Sequence, residues 1–321
     1  MRHIWTDYCR GIAIFLIVVC HTINGLISAK LIPSELGWTF FNNVCYAFQV
    51  PVFFFISGLF AKKSLIDHGL KVFLVKKGSS LVYPYLVWQT IQILIMIATG
   101  SSNNKPNWTN IAFAPLGGYM QFWFIYTLIL IFALYVILSA WGFSDKRILL
   151  IGLGLCVLWP LTPRKFCSLI YLQQSFVYFC LGLCSTNSIQ KLTCSRKSSK
   201  ILLCSFLFLT IVVLLVDMNM VGESIWRPLT AVFGILFVIC ISLFLSAGHH
   251  FNFLTLLGRY SLQIYCAHVI IAAGVRLVLL KGLHLHSEMA HILLGVLLAL
   301  SLPVLIAKVD ERGRLHMFKL I

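Results

Sequence analysis

Long apolar segments along the whole chain most constrain what this protein can fold into. An α-helix rises 1.5 Å per residue, so about 20 apolar residues, or about 17 at the lower limit, cross the hydrocarbon core of a bilayer. About ten segments reach or approach this length. They cover residues 8–29, 39–60, 79–99, 119–140, 148–163, 168–186, 201–218, 228–247, 256–280 and 289–307. The sequence therefore predicts an all-α integral membrane protein, a polytopic bundle of about ten transmembrane helices.

The composition excludes an ordinary soluble domain. Hydrophobic residues make up 60% and charged residues 11% of the 321 residues, whereas a soluble domain is about 45–50% apolar and about 25% charged. A net charge of +16 would favour nucleic-acid binding in a soluble protein. No basic segment interleaved with aromatic residues supports that partner, so we expect no nucleic acid. Because the loops are short, we predict a single transmembrane domain over residues 1–321, surrounded by lipid.

The distribution of basic residues predicts the orientation. Cytoplasmic loops are enriched in Lys and Arg, and ten spans place both termini on one side. Of the 25 basic residues, 18 fall on that side, so we expect both termini in the cytoplasm. The others are expected outside: Lys30, Lys105, Arg164, Lys165, Arg227, Arg276 and Lys281. The tripeptide Asn107–Thr109 matches the acceptor motif for N-glycosylation, a weak signal of three residues, and also falls in a predicted outer loop.

Three ionisable residues interrupt the first apolar segment. Arg10 and His21 lie 11 residues apart, about three helical turns, so they share one helix face at a separation of roughly 16 Å. Asp7 lies one turn before Arg10 and can pair with it. Such side chains inside a span are costly and usually face a cavity, a partner or a substrate path. The alternatives are topology anchors for Asp7 and Arg10, and a structural hydrogen bond for His21.

A base inside the membrane is best supplied by His21. Most of the nine acidic residues fall in loops, whereas His21 lies within a span. An imidazole has an unperturbed pKa of about 6.5, which keeps the neutral form available at physiological pH. His268, in the ninth apolar segment, is the second candidate.

Five stretches occur in an order that is typical of one family. They read WTDYCRGIAIFLIVVCH at 5–21, FQVPVFFFISGLFAKKS at 48–64, FLVKKGSSLVYPYLVW at 73–88, GGYMQFWFIYTLIL at 117–130 and LGRYSLQIYCAHVII at 257–271. Together they resemble the integral-membrane acyltransferase family 3, whose first helix carries Arg, ten residues and then His. The set is spread over nearly the whole chain, and within the family it is most similar to the sugar O-acetyltransferases.

One stretch departs from the family pattern. Members often carry Arg-x-x-Arg before the Pro-Tyr of the third helix, whereas this chain reads Lys76-Lys77-Gly78-Ser79-Ser80. The second arginine position therefore falls at or near Ser80. Lys76 and Lys77 keep the positive charge of the stretch.

The resemblance implies a membrane O-acyltransferase, most commonly one that transfers acetyl from cytoplasmic acetyl-CoA to a hydroxyl of a cell-surface glycan or its lipid-linked precursor. It implies the bacterial inner membrane as location and acetyl-CoA as co-substrate. His21 would act as base or as acyl carrier, together with Arg10 and Asp7. Two catalytic routes stay open at this point, with His21 as base or as acyl carrier. The transferred group is either acetyl or a longer acyl group.

Basic and polar residues near the predicted span ends are candidates for substrate contacts. Lys and Arg bind phosphates such as those of coenzyme A, and an oxyanion needs hydrogen-bond donors. The donor-binding candidates are Lys62, Lys63, Lys76 and Lys77. The candidates for oxyanion or acceptor contacts are Ser57, Gly58, Asn24, Trp123, Tyr260, His268, Glu223 and Arg227. Alternatively, Ser57 and Gly58 serve helix packing, Trp123 belongs to an interface belt, and Glu223 and Arg227 form a solvated pair.

Two other functions fit part of the pattern. A polytopic transporter or flippase for lipid-linked sugars would also line its path with Arg10 and His21, but the sequence lacks the paired interrupted spans of inverted repeats. A membrane scaffold would tolerate His21→Ala. A metal site at His284, His286 and His291 is a further alternative, although histidines of outer loops are usually solvated, and we expect no metal.

Overall fold

The computed structural model describes residues 4–33, 36–99, 117–189, 204–208, 223–247 and 252–311, together with residues 201 and 211. Every regular element in these ranges is helical, and seven of the described helices are long and apolar enough to cross a membrane. The predicted class, an all-helical membrane protein, is confirmed. The Asn107–Thr109 match and most of the predicted span 201–218 lie outside the described residues.

Nine α-helical elements have defined bounds in the described ranges, and residues 204–208 are also helical. The nine are α1 (Ile4–Ser28), α2 (Leu36–Thr99), α3 (Trp123–Ala140), α4 (Asp145–Leu158), α5 (Cys167–Ile189), α6 (Glu223–Ala247), α7 (Asn252–Arg259), α8 (Ser261–Leu277) and α9 (Glu288–Glu311). A 3₁₀ turn (Met120–Phe122) leads into α3, a second (Trp159–Leu161) follows α4, and a π-helical turn (Val278–Gly282) extends α8.

One of these elements carries two predicted spans, and another is shorter than its predicted span. The predicted spans 39–60 and 79–99 lie on the two sides of Gly69 in α2, which consists of two helices that meet at this residue. Its φ of 71° and ψ of 167° interrupt the helical backbone, a conformation that glycine adopts without steric cost. The α4 helix has 14 residues, fewer than a span needs. It ends before Pro160, which lies in the 3₁₀ turn, because proline cannot donate a helical hydrogen bond. The total of about ten spans and the orientation therefore remain predictions.

The chain divides into two compact units. Unit 1 is Met1–Val52 with Thr193–Lys319, and unit 2 is Phe53–Leu192 with Leu320–Ile321. Unit 1 contains α1, the beginning of α2 and α6 to α9, whereas unit 2 contains the remainder of α2 and α3 to α5.

In unit 1, glycines let α1 and α7 approach backbone to backbone. A Cβ atom at Gly11 would collide with the carbonyl group of Leu254, and one at Gly258 would collide with the carbonyl group of Asp7. Small residues are typical of membrane helices that pack this closely. The two contacts hold α7 along the first half of α1.

In unit 2, glycines likewise let α2 and α5 pack backbone to backbone. A Cβ at Gly58 would collide with the carbonyl of Phe179, and one at Gly182 with the carbonyl of Phe55. Aromatic rings fill the adjacent space: the Phe179 ring lies 5.6 Å from that of Phe132 in an edge-to-face arrangement. Gly58 thus serves the helix packing that was one of its two interpretations.

Candidate active site

An ion-pair group lies at the start of α1. The side chain of Asp7 is only 2% exposed, and its two oxygens lie 3.8 Å from Nη1 of Arg10 and 3.8 Å from Nε of Arg259. The predicted pairing of Asp7 with Arg10 is confirmed, whereas Arg259, the last residue of α7, was not predicted as a partner. Two guanidinium groups share one carboxylate, so the group keeps one excess positive charge, and both arginines are partly exposed.

Further along α1, two histidines meet. The ring centroids of His21 and His268 lie 5.2 Å apart at an interplanar angle of 62°. Gly11 contacts Leu254 and Asp7 contacts Gly258, so α7 runs antiparallel to α1. After the turn at Tyr260, α8 runs in the same direction as α1 and brings His268 to His21. His268 is 0% exposed. A residue from the ninth predicted span is therefore the neighbour of the histidine in the first.

The hydrogen bonds of His268 define its tautomer. Its Nδ1 lies 2.8 Å from the carbonyl oxygen of Tyr265 and 3.1 Å from that of Ile264. Carbonyl oxygens only accept, so Nδ1 carries the proton, and Nε2 of the neutral ring is an acceptor. This Nε2 is buried and has no hydrogen-bond partner among the described residues. A buried acceptor without a partner costs free energy, and it lies in the ring that contacts His21.

A chain of polar side chains lies beside His21. Nδ2 of Asn42 donates to Oδ1 of Asn24 at 2.7 Å, and Nδ2 of Asn24 donates to the hydroxyl of Tyr46 at 3.0 Å. The Tyr46 ring stands edge-on to the His21 ring, with centroids 6.2 Å apart. Asn42 and Tyr46 were missed by the sequence reasoning. Their spacing of four residues, which puts both on one helix face, is the signal that could have found them.

Arg276 contacts the end of α1, next to Asn24. Its Nη1 donates to the carbonyl oxygen of Gly25 at 2.5 Å, in the last turn of α1. The C-terminal end of a helix carries partial negative charge and attracts cations. Arg276 was predicted only as one of the outer basic residues, and its contact with α1, one turn beyond His21, was not predicted.

The remaining acceptor candidates lie elsewhere along the chain. In unit 1, Tyr260 forms the link between α7 and α8, and Arg227 is exposed on α6. The side chain of Glu223 lies outside the described residues. Ser57 and Trp123 are half-buried and belong to unit 2.

The four donor-binding candidates lie on α2 in unit 2, and two of them are engaged by neighbours. Nζ of Lys62 lies 2.5 Å from Oδ2 of Asp145, in the first turn of α4. Nζ of Lys77 lies 5.1 Å from the centre of the Phe132 ring, within cation–π distance.

The other two lysines of this set, Lys63 and Lys76, are exposed. The hydroxyl of Ser80, at the position where the family pattern has its second arginine, donates to the carbonyl of Lys77 within the helix. Ser80 therefore does not replace the missing cation, and Lys63 and Lys76 are the better candidates for phosphate contacts.

The histidines proposed for the alternative metal site are dispersed. His291 is buried, with Nε2 at 2.9 Å from the carbonyl oxygen of Leu285, whereas His284 and His286 are exposed. In the part of the chain that the structure describes, no three His, Cys, Asp or Glu side chains are grouped to hold a metal ion.

Comparison with known protein families gives one match over nearly the whole chain. The family model described as "Acyltransferase domain" of acyltransferase family 3 matches residues 3–308, from the start of α1 almost to the end of α9. No curated protein and no solved structure matches the chain. The match agrees with the resemblance carried by the five sequence stretches and with the candidate membrane spans. This chain is a multi-pass membrane acyltransferase and belongs to acyltransferase family 3.

Proposed function

We propose that this acyltransferase transfers an acetyl group from cytoplasmic acetyl-CoA to a hydroxyl of a cell-surface glycan or its lipid-linked precursor, in the bacterial inner membrane. The observation that carries the proposal is the contact between His21 on α1 and the fully buried His268 on α8, whose Nε2 has no partner among the described residues. Most buried side-chain polar atoms have a hydrogen-bond partner, and the contact with His21 gives this acceptor a neighbour that can donate to it.

His21 is the proposed base. It takes the proton of the acceptor hydroxyl while the hydroxyl oxygen attacks the thioester carbonyl carbon. The carbon–sulfur bond breaks, and the coenzyme A thiolate takes the proton from the imidazolium, which restores His21. In the covalent variant, a ring nitrogen of His21 first accepts the acetyl group and releases coenzyme A, and the acceptor hydroxyl then removes it.

His268 is the proposed positioning residue for His21. Its Nε2 is an acceptor held in place by the bonds that Nδ1 makes to its own helix. A proton on the His21 nitrogen that is directed to this acceptor, either directly or through a water molecule, leaves the other His21 nitrogen unprotonated. This is the form that a base or a nucleophile requires.

Positive charge supports binding of the donor. Arg10 and Arg259 share Asp7 and keep one excess charge, and in the predicted orientation they lie at the cytoplasmic end of unit 1. Arginine binds phosphate through two parallel hydrogen bonds, and lysine does so as a point charge. The exposed Lys63 and Lys76 are the proposed phosphate contacts of unit 2.

Donors for the developing oxyanion are the hydroxyl of Tyr46 and the amide of Asn24, which are already bonded to each other beside His21. Donors that are held in place before the reaction stabilise an oxyanion without reorganisation. Ser57, Tyr260, Glu223 and Arg227 remain candidates for acceptor contacts.

The reaction is tested with the full chain in proteoliposomes. We expect release of the coenzyme A thiol from acetyl-CoA to depend on added surface glycan, and mass spectrometry to find the glycan heavier by one acetyl group. Cells that express the chain, but not those with an empty vector, should carry the same mass on their surface glycans. Movement of a lipid-linked sugar across the bilayer without thioester consumption would contradict the proposal and support the flippase alternative.

Replacing Lys76 by alanine is expected to raise the KM for acetyl-CoA about two- to fivefold with little change in kcat, because an exposed phosphate contact contributes up to roughly 1 kcal/mol. The difference from wild type should shrink as salt concentration rises, since salt screens exposed charges. Lys281→Ala, another exposed lysine, is the control. An unchanged KM in Lys63→Ala and Lys76→Ala would show that the donor phosphates bind elsewhere.

A further inference from the structure

A pocket of about 290 Å³ lies in unit 2 at the point where α3 and α5 begin. Four of the eight described residues that line its wall are aromatic. The rings of Trp123 and Tyr171 lie 4.5 Å apart and are tilted by 30°, and Tyr119 and Tyr126 also line the pocket, together with Ser168. The pocket is open on one side, so a ligand larger than its volume can place one part in it.

Buried hydrogen bonds hold this wall in place. Oε1 of Gln89, a fully buried residue of α2, accepts the backbone N–H of Tyr119 at 2.8 Å. Nε2 of the same side chain lies 3.4 Å from the hydroxyl of Tyr85, whose ring lies 5.8 Å from that of Tyr126. The pocket is therefore a preformed surface, as binding sites for small ligands usually are.

The chemistry of the lining selects among ligand classes. None of the described residues that line the pocket is charged, so phosphates and carboxylates would find no counter-charge in it. A lipid chain offers no hydrogen-bonding atom to the hydroxyls of Tyr119, Tyr126 and Ser168 in the lining. A sugar ring satisfies both features, because its C–H face packs on aromatic rings and its hydroxyls exchange hydrogen bonds with those of tyrosine and serine.

The packing of these aromatic residues favours a pocket wall over the interface belt that is the alternative for Trp123. Belt residues turn their rings to the lipid–water boundary, whereas Trp123 and Tyr171 are half-buried and pack on each other. In the predicted orientation, α3 and α5 both begin on the outer side, which is the side on which a surface glycan lies.

We propose that this pocket binds a neutral pyranose ring of the acceptor glycan, with Trp123 and Tyr171 as the stacking surface. The identification of the sugar with the acceptor rests on the proposed function. Binding of the sugar does not, because it requires neither an acyl donor nor His21.

Saturation-transfer-difference NMR of the full chain in nanodiscs tests the binding. The probes are methyl α-glucopyranoside, methyl α-galactopyranoside, methyl α-rhamnopyranoside and the anionic methyl glucuronide. We expect transfer to the ring C–H protons of at least one neutral probe. Trp123→Ala should weaken its binding by about two- to tenfold, as expected for one aromatic contact. Trp141→Ala is the matched control, because Trp141 directly follows the other end of α3 and is 72% exposed.

Three results would overturn the proposal. The first is the absence of saturation transfer to every neutral probe. The second is equal binding of the neutral probe by wild type and Trp123→Ala. The third is stronger transfer to the glucuronide than to the neutral probes. Tyr171→Ala provides a second variant if Trp123→Ala does not fold. Failure of acyl transfer would leave these binding results unchanged, so the two proposals fail separately. If both hold, Trp123→Ala should raise the KM for the glycan and leave the KM for acetyl-CoA unchanged.

Discussion

His21→Ala is expected to lower the rate of acyl transfer by about 10²- to 10⁴-fold, the usual contribution of a general base, and to leave the amount of folded protein in the membrane unchanged. His21 is only partly buried in unit 1, so alanine removes the reacting group without opening a large cavity in a tightly packed core. The measurement is the initial rate of coenzyme A release in proteoliposomes with acceptor glycan, normalised to the protein in the membrane.

A matched control and a second variant make this result specific. His284→Ala removes an exposed histidine and should retain full activity. His268→Ala should reduce kcat, with His21 still able to act. Full activity in His21→Ala together with complete loss in His268→Ala would contradict the assignment and make His268 the base. Labelled acetyl on the wild-type chain without acceptor, absent in His21→Ala, would favour the covalent route.

Gly258→Ala is expected to destabilise the protein by about 1–3 kcal/mol, as overpacking of a close contact does. The new methyl group would collide with the backbone carbonyl of Asp7, and backbone cannot rotate away as a flexible side chain can. The thermal unfolding midpoint in detergent should therefore fall. It is measured by size-exclusion chromatography of samples heated to increasing temperatures. Activity should fall with the midpoint, because α7 carries Arg259 and leads through Tyr260 into the helix of His268.

Gly274→Ala on α8 is the control for this experiment. A Cβ at this position meets no atom within 4 Å, and alanine in a helix is more stable than glycine by roughly 0.5–1 kcal/mol. Its unfolding midpoint should be unchanged or slightly higher. Equal midpoints for the Gly258→Ala and Gly274→Ala proteins would refute the proposed close contact between α1 and α7.

Some span boundaries could be predicted and others could not, for a physical reason. The first span was predicted at 8–29, and the structure has α1 from Ile4 to Ser28, because continuous hydropathy is a local property of the chain. The segment 148–163 was predicted as one span, yet α4 stops at Leu158. Its hydropathy continues past the helix end, while Pro160 interrupts the hydrogen bonding.

The candidate site divides in the same way. Asp7, Arg10 and His21 follow from one sequence segment, because residues three or four positions apart, or multiples of a helical turn apart, share a helix face. The contact of His21 with His268 joins residues 247 positions apart. No local pattern specifies which of the predicted helices packs against α1.

The sequence by itself determined that this protein is an all-helical membrane protein with a cationic and titratable face on its first helix, since hydropathy and helical periodicity are local. Only the tertiary structure decided that α8 supplies His268 to His21 and Arg276 to Gly25. It also decided that Trp123 and Tyr171 form one pocket wall. These pairings depend on which helix surfaces fit together, through contacts such as those of Gly11 and Gly258, and packing of this kind is a property of the assembled helices.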